Sequence, residues 1–153
     1  MAKTNNVTRF LDSRKVSYTA YDLPEEKLGA IETAEHLQIP ASQVFKTIVV
    51  NSEKGKPVLC VVPGDREVNL KAVSAFLGEK KVHIPSQNEA EQLTGLQAGG
   101  ISPLALIHKG FQVIVDRSAL ELGEIHISGG QRGLNLRLKT EDLVRLTQAK
   151  VAA

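Results

Sequence analysis

Two apolar runs separated by a short polar turn restrict what this chain can fold into. Residues 44–50 and 58–62 are almost continuously apolar, and residues 52–57 between them are rich in turn-forming types. Runs of this length are typical of strands that are covered on both faces, and the turn between them predicts a β-hairpin. We therefore expect the hairpin to form the wall of a small barrel or a sheet packed beneath helices.

Helical spacing, capping residues and turn signals predict the remaining elements. Helices are expected around residues 7–11, over 31–37, from an Asn69 cap to Gly78, from a Ser86 capping box to Gly95, and from a cap at 140–142. Strands are expected at 16–21, 44–50, 58–62, 81–84, 111–115, 124–128 and 134–138. These elements predict one domain over residues 1–153, with an α+β fold: a mixed, barrel-like sheet of six or seven strands flanked by helices.

Composition excludes several classes of protein. The single cysteine, Cys60, cannot form an internal disulfide, and its apolar neighbours predict a small buried hydrophobe rather than a nucleophile. No apolar run of membrane-spanning length and no secretory signal is apparent, so we expect a cytoplasmic protein. The four histidines show no metal-ligand spacing, and no metal or cofactor is expected. With a net charge of +2 and six Phe and Tyr residues, a broad base-stacking platform is not expected.

Lys46 is the charged residue within the first apolar run, where a strand buried on both faces would exclude an ammonium group. Because side chains alternate along a strand, Lys46 shares its face with Val44 and Ile48. One interpretation is a lysine that guards a sheet edge against pairing with other chains. The other is a cation that binds a phosphate or an oxyanion in a pocket. The residues alone leave both interpretations open.

Two glycine-centred segments, 98–103 and 127–133, lie far from Lys46 along the chain. Their paired glycines allow positive φ angles and let a ligand approach the backbone closely. Amides freed in such loops can form an anion-binding nest or an oxyanion hole. Taken alone, each segment is more typical of an ordinary loop or hairpin turn. Taken with Lys46, they indicate a pocket for an anionic or carbonyl-bearing ligand.

These three segments, in this order and at these separations, resemble the YbaK/ProX family of freestanding aminoacyl-tRNA deacylases. The family also occurs as the editing domain of some prolyl-tRNA synthetases. Residues 63–65 and 69–71 extend the resemblance, which covers nearly the whole chain. It implies the YbaK/ProX editing-domain fold and the removal of a wrong amino acid from tRNA(Pro).

The resemblance also implies a role for each matching residue. Lys46 would contact the terminal adenosine or the ester, and Gly100, Ile101 and Ser102 would supply amides and a hydroxyl around the aminoacyl carbonyl. The other substrate-binding residues would be Thr47, Gly99, Pro103, Ser128, Gly129, Gly130 and Asn135. Three residues depart from the better-known YbaK members: Leu23 in place of tyrosine, Asn135 in place of aspartate and Ala105 in place of glycine. The first two positions belong to the active site there, so the preferred aminoacyl group stays open.

Our leading hypothesis is a trans-editing deacylase that clears cysteine from tRNA(Pro), with the cysteinyl thiol attacking its own ester carbonyl. The expected partners are the acceptor end of mischarged tRNA(Pro) and prolyl-tRNA synthetase in a transient complex. One alternative is an Ala-tRNA(Pro) hydrolase that uses water. Another is a non-catalytic module that binds tRNA ends or nucleotides on the same scaffold.

Overall fold

The computed structural model describes residues 3–152, in which helices are interspersed among the strands. The α-helices are α1 (Asn6–Ser13), α2 (Ala30–Leu37), α3 (Leu70–Leu77), α4 (Gln87–Thr94), α5 (Ser118–Leu122) and α6 (Thr140–Thr147), and 3₁₀ helices lie at Ala41–Gln43 and Pro103–Lys109. The strands are β1 (Tyr18–Asp22), β2 (Phe45–Ser52), β3 (Val58–Pro63), β4 (Val82–His83), β5 (Gln112–Asp116), β6 (Glu124–Ser128), β7 (Leu134–Lys139) and β8 (Lys150–Ala152).

The strands form two sheets. One is an antiparallel sheet of three strands in the order β1-β7-β6, and the other has five strands in the order β4-β2-β3-β5-β8. In the larger sheet β3, β5 and β8 are parallel, whereas β2 is antiparallel to both of its neighbours. The expected α+β class with mixed strands and flanking helices is confirmed. The sheets meet at an isolated bridge between Val44 and His126, and the described chain does not close into a barrel because β1 and β8 do not pair with each other.

The predicted hairpin is present and its arms are covered on both faces. β2 pairs with β3 from Phe45 opposite Pro63 to Val50 opposite Val58. Phe45 and Val49 belong to the larger hydrophobic core, and Val50 belongs to a second apolar cluster beneath α3. The near-continuous apolar pattern therefore reflects a two-sided environment, as expected for strands between two cores.

Most of the predicted helix ends are confirmed by the capping geometry. Asn69 accepts a hydrogen bond from the Ala72 amide at the start of α3, and Ser86 forms a capping box with Glu89 at the start of α4. Gly78 ends α3 in the left-handed conformation, with φ of 71°. These ends follow from local backbone chemistry, which explains why the sequence alone locates them.

Several features differ from the sequence prediction. Helix α6 is present, but Thr140 is its first residue and not its cap, because the Thr140 hydroxyl donates to the Ala119 carbonyl at 2.7 Å. The 3₁₀ helices at Ala41–Gln43 and after Ser102 were not predicted, and α5 adds a short helix after β5. Strand β8 is an eighth strand that the prediction also lacks, since its three residues become a strand only by pairing with residues 114–116 of β5. No helix within residues 3–152 is long and apolar enough to cross a membrane.

Candidate active site

A cleft of about 290 Å³ lies beside the open edge of β2. Along residues 45–50 the strand pairs with β3 on one side, while β4 reaches only Asn51 and Ser52 on the other. No strand within residues 3–152 pairs with the first half of β2 on that second side, although β6 comes close to it at the Val44–His126 bridge. The cleft is closed by the start of α2, the loop before Ile101 and the adjoining ends of β6 and β7.

Six of the residues predicted to form the site line this cleft: Lys46, Thr47, Gly99, Ile101, Ser128 and Asn135. They come from four separate parts of the chain, and the fold brings them together around one opening. Leu23, one of the three departures from the YbaK pattern, also lines the cleft. Their contacts with substrate remain predictions, but the convergence supplies the pocket that the sequence indicated.

Lys46 is neither fully buried nor free in solvent. Its side chain is 22% exposed, and Nζ lies 3.5 Å from Oε1 of Glu67, whose own side chain is 92% exposed. An ion pair with so exposed a carboxylate contributes only about 0.2–1 kcal/mol. Glu67 can therefore give way to a stronger anionic partner. Because Lys46 lies on the half of β2 with one open edge, its position also fits the edge-guard interpretation.

The two glycine segments come into direct contact behind the cleft. A Cβ added at Gly100 would lie 2.9 Å from both Cα and C of Gln131, so only glycine fits without moving the backbone. Nε of Arg132 donates to the Ala98 carbonyl at 2.8 Å and ties the same segments together. Gly99 has φ of 89°, in the left-handed region that favours glycine. The paired glycines here allow two backbone segments to approach each other closely.

Gly100 and Ser102 lie behind the lining and not in it. The Gly100 amide donates to the Gln97 carbonyl at 2.8 Å. The Ser102 hydroxyl accepts from the Leu104 amide at 3.2 Å, and Ser102 is fully buried. The Gly100 amide is thus already paired as a donor, whereas the Ser102 hydroxyl accepts a bond as the N-cap of the 3₁₀ helix and keeps its own O–H to donate. Both contacts with an aminoacyl carbonyl remain predictions, and that of Gly100 would require its bond to Gln97 to be exchanged.

Pro103, Gly129 and Gly130 also fall outside the cleft lining. Pro103 is buried as the first residue of the 3₁₀ helix. A Cβ at Gly129 would lie 2.5 Å from Cγ of Leu134. One at Gly130 would lie 2.9 Å from Val7 and 3.4 Å from the Cβ of Ala105, the third departure from the YbaK pattern. These residues support the wall of the cleft through packing, and their substrate contacts remain predictions.

A buried hydrogen bond joins Asn135 to His126. Oδ1 of Asn135 lies 2.9 Å from Nδ1 of His126, and the two residues are 4% and 6% exposed. The Tyr21 ring packs against the imidazole with centroids 5.4 Å apart. Burial lowers the pKa of His126, although the bond to Asn135 acts in the opposite direction. The imidazole is therefore neutral at neutral pH.

Sequence reasoning missed His126, because it considered the histidines only as possible metal ligands. Ser128 is opposite Asn135 and His126 is opposite Arg137 across the pair β6 and β7, so His126 and Asn135 are diagonal neighbours on one face. The available signal was that polar residues occur at every second position in both predicted strands, so that on each strand they share one face. It becomes specific only when the register of the pair is known.

Cys60 lies apart from this arrangement. Cys60 is 2% exposed, and burial raises the pKa of its thiol to about 12. The prediction of a buried hydrophobe is confirmed. No group of three or more His, Cys, Asp or Glu side chains within residues 3–152 is placed to hold a metal ion.

Comparison with known families identifies the fold and the class of activity. The family described as the aminoacyl-tRNA editing domain matches residues 24–146, which include every residue lining the cleft except Leu23. The chain belongs to this family. Membership confirms the resemblance found in the sequence and assigns aminoacyl-tRNA editing, the deacylation of a charged tRNA, to this editing domain.

Individual relatives agree with this assignment. EbsC of Enterococcus faecalis, named as a proposed Cys-tRNA(Pro)/Cys-tRNA(Cys) deacylase, is 34% identical over 149 residues, which cover 96% of this chain and 90% of EbsC. A proline–tRNA ligase of Acidithiobacillus ferrooxidans is 32% identical over 105 residues, covering 69% of this chain and 18% of the ligase. The editing domain thus corresponds to a small part of that longer enzyme.

Solved structures show the same fold over nearly the full length. The crystal structure of the hypothetical protein APE2540 matches with a TM-score of 0.89 and 27% identity, covering 97% of both chains. A structure described as a proposed trans-editing enzyme for prolyl-tRNA synthetase matches with a TM-score of 0.78 and 24% identity, covering 98% of this chain and 97% of the other. The second likeness concerns the fold alone.

Proposed function

We propose that this editing domain acts in trans and removes cysteine from mischarged tRNA(Pro). The observation that carries the proposal is the convergence of Lys46, Gly99, Ile101 and Asn135 on one cleft beside the open edge of β2. The choice of cysteine is supported by the identity to EbsC over 96% of the chain. The choice of tRNA(Pro) is supported by EbsC and by the proline–tRNA ligases that share this domain.

In the proposed reaction the substrate provides the nucleophile. The cysteinyl sulfur attacks its own ester carbonyl, a carbon–sulfur bond forms, and the bond from the carbonyl carbon to the ribose oxygen breaks. The thiol proton is transferred to the departing ribose oxygen, so that the tRNA leaves with a free hydroxyl. The protein has to hold the thiol and the ester in a reactive geometry, and such positioning can contribute as much as activation of the thiol.

The cleft has groups suited to that task. The Lys46 ammonium would bind the terminal nucleotide or the ester oxygens, and its exposed partner Glu67 would be displaced. The apolar side chain of Ile101 would limit the access of water to the ester. Preorganised donors near a developing oxyanion typically contribute about 3–4 kcal/mol each to the stabilisation of a transition state.

A water-based hydrolysis of Ala-tRNA(Pro) is the second candidate, and one observation favours it. Glu26 lines the same cleft and its side chain is exposed, so a carboxylate is available as a general base for water. This route would need no thiol in the substrate. A third possibility, a module that binds tRNA ends without cleaving them, would use the same cleft and Lys46.

The proposed partners are the acceptor end of tRNA(Pro) and prolyl-tRNA synthetase in a transient complex. An editing protein that works in trans must reach the charged tRNA before it is used in translation, and a complex with the synthetase would bring the two together. We propose the cytoplasm as the place of action because charged tRNA is used there.

Turnover of three charged tRNAs distinguishes these functions. Cys-, Ala- and Ser-tRNA(Pro) are incubated with the protein, and release of the amino acid is followed over time. The proposal expects rapid loss of cysteine and little loss of serine, which differs from cysteine by oxygen in place of sulfur. Comparable release of alanine and serine would favour the hydrolase. Retention of all three amino acids, with measurable binding of tRNA, would favour the non-catalytic module.

A further inference from the structure

The outward face of the three-stranded sheet is polar and connects the cleft to a second cavity. Asn135 lines the cleft, while His126, Tyr21 and Arg137 line a cavity of about 280 Å³ next to it. The opposite face of the same strands is apolar and belongs to the main core. The hydrogen bond between Asn135 and His126 lies where the two cavities meet.

The chemistry of this bond determines which ring nitrogen of His126 carries the proton. The carboxamide of Asn135 has one acceptor, Oδ1, and two N–H donors on Nδ2. Because Oδ1 can only accept, Nδ1 of His126 must carry the proton that it donates. The bond occupies the oxygen of Asn135 and thereby fixes the orientation of the whole planar amide.

The amino group of Asn135 is then available to the cleft. No protein partner for Nδ2 of Asn135 is found among residues 3–152, and Nδ2 is not among the side-chain atoms that are sealed from solvent without a partner. Asn135 itself is 4% exposed and lines the cleft. A donor in this setting is free to bind an acceptor on a ligand. A ligand that covered it without supplying an acceptor would leave a buried donor unpaired, which costs about 1–3 kcal/mol.

We propose that His126 is a positioning residue that holds the Asn135 carboxamide with its amino group toward the cleft, where it donates to an acceptor atom of the aminoacyl group. This inference rests on the proposed editing function for its ligand. A carboxylate at the same position would present an acceptor and a negative charge. The His126–Asn135 pair therefore makes this side of the cleft a neutral donor.

The surroundings hold the imidazole in place. Tyr21 from β1 packs against the ring, and Arg137 from β7 and Glu124 from β6 are the charged groups that influence its titration. Burial favours the neutral ring, and the nearby Arg137 charge acts in the same direction. A neutral ring with its proton on Nδ1 is the form that the bond to Asn135 requires.

Two substitutions of similar size test the role of the Nδ1 proton. His126→Asn places an amide N–H near the position of Nδ1 and keeps a donor for Asn135, whereas His126→Leu removes it. We expect His126→Leu to lower kcat/KM on Cys-tRNA(Pro) by about tenfold, which equals about 1.4 kcal/mol. The tenfold loss in His126→Leu corresponds to the loss of one neutral hydrogen bond. We expect His126→Asn to stay within about threefold of the unmodified protein, because it keeps a donor for Oδ1 of Asn135.

A double-mutant cycle separates positioning from a general structural effect. If His126 acts through Asn135, the variant that combines His126→Leu with Asn135→Ala should be no slower than Asn135→Ala alone. If the rate of the double variant fell by the product of the two single effects, the inference would be overturned. Equal activity of His126→Leu and the unmodified protein would overturn it too.

Nitrogen NMR of the unmodified protein provides a test that needs no activity. The imidazole of His126 should carry its proton on Nδ1, and this signature should weaken in Asn135→Ala. A proton found on Nε2 alone would overturn the inference even if every turnover result agreed with it. Failure of the unmodified protein to deacylate any of the three tRNAs would instead overturn the proposed function, because the tautomer would still report the orientation of Asn135.

Discussion

Replacing Gly100 with alanine tests the contact between the two glycine segments that support the cleft. The added Cβ would lie 2.9 Å from Cα and C of Gln131 and 3.0 Å from N of Arg132, against an ordinary contact distance of 3.4 Å or more. The shortfall is about 0.5 Å, and the atoms that it meets belong to the backbone. No side-chain rotation can relieve it, so the two segments must separate.

The cost of this separation can be bounded. Inserting one methyl group into a well-packed region typically destabilises a protein by about 1–3 kcal/mol. For a chain of this size each kcal/mol lowers Tm by about 2–4 °C, so Gly100→Ala should lower Tm by about 2–12 °C. The bond from Arg132 Nε to the Ala98 carbonyl should lengthen as the segments part, and deacylation should fall with the loss of cleft geometry.

Thermal and urea denaturation measure the change in stability and a turnover assay measures the change in activity, with Gly55→Ala as the matched control. Gly55 lies in the turn between β2 and β3, has no atom within 4 Å of an added Cβ, and like Gly100 has a φ outside the left-handed region. Its replacement should leave stability unchanged or raise it slightly. If Gly100→Ala unfolds at the same urea concentration as Gly55→Ala, the argument from backbone contact is wrong.

Four further outcomes are expected. Lys46→Ala should lower deacylation at least about tenfold without loss of fold, whereas Lys46→Arg should keep part of it; near-native turnover by the alanine variant would return Lys46 to the role of an edge guard. Glu67→Gln should lower KM at low salt by up to about fivefold, because the exposed ion pair between Glu67 and Lys46, worth at most about 1 kcal/mol, no longer competes with the substrate. An unchanged KM would argue against that competition. The protein should lose stability as the pH falls below about 6.5, because the pKa of His126 is lowered in the folded state and the unfolded chain therefore binds the proton first. If urea unfolding of His126→Asn showed the same pH dependence, His126 would be excluded as the cause. Cys60 should react with a thiol reagent at pH 8 only after denaturation, since burial keeps the thiol protonated; rapid labelling of the folded protein would contradict its burial.

The accuracy of the sequence predictions depended on how local the deciding interactions are. The caps at Asn69 and Ser86 each satisfy an amide three residues away, so the pattern of residue types locates them reliably. The hairpin of β2 and β3 is almost as local. By contrast, β8 exists only through pairing with β5, and no short-range sequence pattern predicts a strand of three residues.

The candidate site shows the same difference between what local sequence and long-range contacts decide. The sequence by itself determined which residue types would be available: a lysine within an apolar strand, glycines that permit close approach, and a polar face on β6 and β7. Tertiary structure decided which of them share the cleft, because strand pairing and loop contact join segments that are distant in the chain. The tertiary structure placed Lys46 and Asn135 in the lining of the cleft and Gly100 and Ser102 behind it. It also brought His126 within hydrogen-bond distance of Asn135.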